Sequence, residues 1–244
     1  MKILFSPSES KTQGGEAPFK FKELLFPQLS PLRQKLIKNY NEIIKKKDMR
    51  ELSKMFGLKK EEQILLYTHN ILQEPAKKAI LRYQGVAFDY LNYATLSKEA
   101  QNYIDNNLII FSNLFGFIRA DNPIPPYRLK QGSSIGEIKP EQHYKEESYL
   151  LESYLEGEEI LDLRAGFYDK FYKPKKSYTT LKFIKEGKVV SHWAKAYRGL
   201  VLRAIAQAQA NSIEAFMNLS IENLTLKEIQ TKKNRTEIIY TITP

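Results

Sequence analysis

The 244-residue chain contains no cysteine. That single absence removes disulfides, thiol nucleophiles, iron–sulfur clusters and thiolate zinc sites together. Histidine is scarce as well: His69, His143 and His192 lie far apart, and none has a histidine or cysteine partner at ligand spacing, so no metal site is expected. No segment approaches the ~18 apolar residues of a membrane span. The amino terminus, Met1 to Pro7, has only a short apolar run before a turn-rich stretch, well below the ~7–15 apolar residues of a signal peptide. A cytoplasmic protein with no membrane partner is the resulting expectation, and no obligate protein partner is evident.

What the chain does have is aromatic surface and unevenly placed charge. Fifteen tyrosines and thirteen phenylalanines, within 42% hydrophobic content, supply a core and argue against disorder. The net charge of +10 is segregated along the chain. Residues 1–136 carry 21 basic and 13 acidic side chains, residues 137–163 carry 2 and 9, residues 164–203 carry 11 and 2, and the remainder 4 of each. The block at 164–203 includes Lys173, Lys175, Lys176, Lys195, Arg198 and Arg203, interleaved with Phe167, Tyr168, Phe171, Tyr172, Tyr178 and Trp193. This mixture suits a nucleic-acid surface, and it equally suits strands and helices with aromatics inward and lysines in water.

The local pattern predicts a mixed chain. Lys2 to Phe5 reads as a strand feeding a loop marked by Gly14, Gly15 and Pro18. Ser30-Pro31 opens a helix that ends at Lys45 to Lys47, where cations favour the negative end of its dipole. Met49–Phe56 and Lys60–Leu72 are amphipathic pieces separated by Gly57-Leu58, and Ala76–Tyr83 is a helix stopped by Gly85. Val86–Tyr93 is aromatic and reads as extended. Ser97 caps a helix reaching about Asn106, and Leu108–Phe111 is a buried strand. Asn113 to Leu129, with three prolines and a glycine, is an ordered loop. Glu141–Leu155 is an acidic helix, Glu159–Leu163 a strand, Tyr178–Ser191 a hairpin turning at Glu186-Gly187, Ala194–Gln209 a strong helix and Thr236–Ile242 a closing strand. With no repeat or linker, the expectation is one α+β domain over 1–244, with a central mostly antiparallel or mixed sheet and an embedded helix-hairpin-helix unit.

Two constellations carry chemistry. Around Gly57, a tight turn followed by a helix presents N–H groups that attract phosphate, with Lys54, Lys59 and Lys60 adding charge; a plain helix C-cap gives the same pattern. Ser6 to Lys11 follows a strand directly, and its hydroxyls and amine suit an anion. Together with Arg119, Tyr127, Arg128, Lys195 and Arg198, Ser6 and Lys11 would form an anion or ligand pocket if they converge. Glu9, Asp89, Asp121, Asp162 and Asp169 are acids near strand ends or loops; none is paired in sequence with a nucleophile, so no catalytic residue is assigned. No Walker loop, dinucleotide fingerprint, nucleophile elbow or zincin helix occurs. No Glu-x-x-His pair on a predicted helix supports iron storage.

Several segments resemble the bacterial peroxide stress protein YaaA family, also called UPF0246 or DUF328. They are the first strand with Ser6-Pro7, Tyr83-Gln84-Gly85, Leu114 to Arg119 followed by Pro126 to Leu129, Asp162-Leu163-Arg164 with Tyr168, and Ala194-Lys195 through Arg198-Gly199. The resemblance implies a cytoplasmic protein of the hydrogen peroxide response, limiting iron-mediated oxidative damage. It also implies binding of double-stranded, and branched, DNA without strong sequence specificity through a helix-hairpin-helix and a positively charged cleft. No cofactor is implied. The competing expectation is an enzyme acting on a nucleotide or phosphate-bearing substrate at the Ser/Lys/Arg pocket.

Overall fold

The structure, a computed structural model, describes residues 1–243; the side chains of Ser191 and His192 are outside the described residues, and the expectation for His192 falls there. The strands are β1 (Lys2–Phe5), β2 (Lys77–Lys78), β3 (Leu108–Ser112), β4 (Gly116–Arg119), β5 (Pro123–Ile124), β6 (Ile160–Asp162), β7 (Tyr178–Lys185), β8 (Lys188–Val189), β9 (Leu224–Lys232) and β10 (Arg235–Ile242). The helices are α1 (Ser30–Lys46), α2 (Met49–Phe56), α3 (Glu61–Leu65), α4 (Ala79–Arg82), α5 (Val86–Leu91), α6 (Lys98–Asn107), α7 (Pro140–Glu146), α8 (Ser148–Tyr154), α9 (Ser191–Ala208) and α10 (Ile213–Met217).

Ile3, Leu4 and Phe5 are all apolar and at most 1% exposed, so β1 is buried on both faces and must lie inside a sheet covered on both sides. It pairs in parallel with β3 on one side and β6 on the other. The order across the sheet is β4-β3-β1-β6-β7-β10-β9, with β8 paired to β7. β6, β7 and β10 continue the parallel run, while β4 and β9 close the edges antiparallel. The sheet is therefore mixed with a parallel centre, and the fold is a single α/β domain. Among the described residues no helix is long and apolar enough to cross a membrane.

Several helices differ from expectation for tertiary reasons. Val86–Leu91 is a helix, because Gly85 (φ 130) turns the chain and Phe88 must pack edge-on against Phe5 beneath it. Ala76–Tyr83 shortens to α4, since Lys77 and Lys78 pair with β5 instead. The expected Lys60–Leu72 helix stops at Leu65 as α3.

This last difference bears on the helix-hairpin-helix. α2 ends on Gly57 in the left-handed region (φ 66), which supplies the tight turn. The second helix, however, is only five residues long and opens with Glu61 and Glu62. Two acids at a helix N-terminus compete with phosphate for its positive end. The helix-hairpin-helix unit is not confirmed.

Buried tyrosines set the alkaline limit of the fold. Burial raises the hydroxyl pKa of Tyr40, Tyr83, Tyr144 and Tyr168, and Tyr127 is pushed up to about 12. The folded state thus holds protons that the unfolded chain releases near pH ~10. Stability is fully present below that pH and is lost as pH rises through the folded values, by about 1.4 kcal/mol per pH unit for each tyrosine. Denaturant titrations at about pH 8 and about pH 11 should show this fall; equal stabilities would contradict it.

Candidate functional site

After β1 the chain runs to β3 on one side, and β6 later fills the other, so the loops leaving β1 and β6 diverge at the carboxyl end of the sheet. That divergence is the topological switch point at which open α/β sheets bind ligands. Here it opens a cleft of about 370 Å³. Ser6, Ser8 and Glu9 from the loop after β1 form one wall, and Lys195 and Arg198 from α9 line another part of it. Phe5, Phe88, Leu163 and Tyr168 supply apolar surface, and Gln131 adds an amide.

Each wall is held by identifiable contacts. The Ser6 hydroxyl accepts a hydrogen bond from the Ala165 N–H at 2.8 Å, joining the loops after β1 and β6. Asp162, at the end of β6, accepts from Arg164 Nε at 2.8 Å and Nη2 at 2.6 Å, and Arg164 lies over the Phe111 ring at 4.2 Å. Glu9 accepts from the Gln131 N–H at 3.0 Å and from Arg128 Nη2 at 3.2 Å. Arg128 in turn donates through Nε to the Phe56 carbonyl at 3.0 Å, tying the end of α2 to the cleft.

Lys11 acts beneath the loop. It is buried, and its ammonium donates to the carbonyls of Ser8 at 2.9 Å and Glu9 at 3.0 Å while facing the Tyr127 ring at 3.9 Å. Burial, reinforced by Arg128, lowers its pKa well below the usual lysine value, against the pull of Glu9. Two carbonyls and an aromatic face nonetheless satisfy a cation well. Lys11 is a clamp that shapes the Ser6–Ser10 loop. Tyr127, buried with it, bonds to Tyr83 at 3.1 Å and Ser112 at 2.8 Å.

α9 reaches the cleft because of one glycine. A Cβ on Gly199 would stand 2.1 Å from the Ala87 carbonyl oxygen, so only glycine lets α9 cross α5 this closely. Lys195 and Arg198, three residues apart, share a face of α9. Neither makes a hydrogen bond or ion pair among the described residues. Burial lowers the pKa of the Arg198 guanidinium, opposed by Asp162.

The structure thus gathers Ser6, Lys195 and Arg198 in one cleft and places Lys11, Tyr127 and Arg128 in the layer supporting it. Arg119 is elsewhere, paired with Asp121. Lys54, Gly57, Lys59 and Lys60 are exposed on the α2–α3 turn. Lys173, Lys175 and Lys176 are exposed before β7, at the opposite end of the sheet, where Lys176 pairs with Glu156. Arg203 is turned to the carbonyls of Leu91 and Asn92 and the Thr95 hydroxyl. Sequence reasoning missed Gln131, whose position follows a proline loop and carries no local signal. It treated Glu9 as a lone acid because Arg128 reaches it only after folding, and Asp162 as one although its partner Arg164 stands two residues along the chain.

The family described as Peroxide stress protein YaaA matches residues 1–230. The chain is 49% identical over 245 residues to "Uncharacterized protein Cj0984" of Campylobacter jejuni, covering 99% of each chain. It is 32% identical over 233 residues to "UPF0246 protein Cgl1995/cg2186" of Corynebacterium glutamicum, covering 90% of this chain and 91% of that one. A UPF0246 protein of Fusobacterium nucleatum is 28% identical over 249 residues, with 96% and 97% covered. With a match spanning nearly its whole length, the chain belongs to the peroxide stress protein YaaA family.

Proposed function

We propose that the chain serves the peroxide stress response by binding duplex DNA through its phosphates, without reading sequence. The observation that carries this reading is a ridge of free cations on the α2–α3 turn. Lys54, Lys59 and Lys60 stand exposed around Gly57, and the Lys130 side chain lies across that glycine. None of these four lysines makes an ion pair among the described residues. Such cations gain by displacing the counterions of a nucleic acid, a term that carries no sequence information. Since Glu61 and Glu62 oppose phosphate at the start of α3, lysine side chains rather than helix N–H groups hold the backbone in this reading.

Fluorescence anisotropy with duplex DNA at several salt concentrations tests it. The double substitution Lys59→Glu and Lys60→Glu is expected to lower the magnitude of the salt slope by about 1.8, two contacts at about 0.9 each. The pair Lys175→Glu and Lys176→Glu, at the far end of the sheet, should leave the slope unchanged. Absence of duplex binding even at low salt would overturn the reading.

A further inference from the structure

The switch-point cleft sets one arginine apart from the others. Arg33, Arg82 and Arg203 are tied to carbonyls. Arg119, Arg128 and Arg164 are tied to carboxylates. Arg235 pairs with Glu237 and Arg50 stands exposed in water, whereas Arg198 is drawn off the open surface into the cleft with neither a carbonyl nor a carboxylate among the described residues. A guanidinium that gives up water without gaining an acceptor is costly, and five donors in a fixed fork match a phosphate or carboxylate. Lys195, one turn earlier on the same helix, doubles the local charge. In the same cleft the Ser6 hydroxyl already accepts from Ala165, which leaves its hydrogen free to donate to a ligand.

The same cleft contains an opposite charge that does not neutralise this pair. Glu9 is held by Arg128 and by the Gln131 N–H, one bond to each carboxylate oxygen, so each oxygen keeps capacity to accept. A carboxylate and two cations that share a cleft without pairing suit a ligand with both an anionic end and a hydrogen-bond-donating end. The lining of the same cleft includes the aromatic side chains of Phe5, Phe88 and Tyr168. A volume of about 370 Å³ holds a small metabolite and not a duplex.

We propose that this cleft binds a nucleoside monophosphate, with its phosphate on Arg198 and Lys195, its base against Phe88 and Tyr168, and a base amino group donating to Glu9. The lysine ridge plays no part in it, so the Lys59→Glu, Lys60→Glu protein should keep its nucleotide affinity whatever becomes of its DNA binding.

Isothermal titration of the full chain with AMP, CMP, UMP and inorganic phosphate tests the proposal. AMP or CMP should saturate the site, with inorganic phosphate at least about tenfold weaker and UMP, which offers a carbonyl in place of the amino group, weaker than CMP. Arg198→Met should weaken nucleotide binding by about tenfold or more. Lys195→Met, on an exposed side chain that leaves the fold intact, should weaken it in the same direction. Glu9→Gln should narrow or reverse the preference for CMP over UMP. No saturation by any nucleotide at about 1 mM, equal affinity for inorganic phosphate, or affinity unmoved in both the Arg198 and Lys195 variants would each overturn it.

Discussion

Arg33→Met is expected to destabilise the protein by about 4 kcal/mol or more, enough to leave it unfolded or marginal. Arg33 is fully buried on α1 and donates to four backbone carbonyls: Phe115 through Nε at 3.0 Å, Phe26 through Nη1 at 3.0 Å, and Leu25 and Phe117 through Nη2 at 2.7 Å and 3.0 Å. It therefore ties the loop before α1 to the antiparallel edge strand β4. Methionine fills much of the same space but donates nothing, and each buried carbonyl deprived of its partner costs about 1–3 kcal/mol. The exposed Arg235, paired with Glu237, is the comparison: Arg235→Met should cost less than about 1 kcal/mol. Denaturant unfolding of both variants measures the difference. Arg33→Met within about 1 kcal/mol of the parent would show that water or rearranged backbone replaces the guanidinium.

The second large effect falls on Gly199. Gly199→Ala adds one carbon 2.1 Å from the Ala87 carbonyl oxygen, with the Ala87 carbonyl carbon and the Leu91 nitrogen both at 3.0 Å. These are backbone atoms that cannot swing aside, so α9 and α5 must part. Overpacking of this kind typically costs about 1–3 kcal/mol. The loss should be accompanied by displacement of Lys195 and Arg198 from the cleft, because both ride on the displaced helix. Gly166→Ala is the control, since a Cβ there meets nothing within 4 Å, and it should stay within about 0.5 kcal/mol of the parent. A Gly199→Ala protein of unchanged unfolding midpoint would mean that the two helices have slack the packing does not reveal.

Elements with a strong local code were legible in the sequence. Pro31 sits in the first turn of α1 as expected, although the N-cap position falls to Leu29 and the Ser30 hydroxyl caps nothing; Ser97 caps α6 by accepting from the Ala100 N–H, and Gly187 turns the β7–β8 hairpin. The alanine and leucine run after Ala194 lies within α9. What eluded the sequence was decided at long range. The parallel centre depends on β1 pairing with strands more than 100 residues away, which no local pattern encodes. Val86–Leu91 is helical because of what lies beneath it, and the acidic Glu141–Leu155 segment breaks into α7 and α8 at Glu147. The candidate site divides the same way. Ser6, Lys195 and Arg198 stood out as anion-binding residue types at element ends, whereas the roles of Glu9, Gln131 and Lys11 exist only through partners that folding delivers.

The position of β1 also governs how the chain is made. Its two neighbours begin at Leu108 and Ile160, so β1 gains its second partner only after about 155 further residues have been synthesised. At about 5–20 residues per second, that is a wait of roughly 8–30 s for an apolar strand with open edges. Sheets that join distant segments in this way fold slowly and pass through states exposed to aggregation. During that interval Ile3, Leu4 and Phe5 are a natural substrate for a holding chaperone, and nascent chains stalled before residue 160 are the species most in need of one.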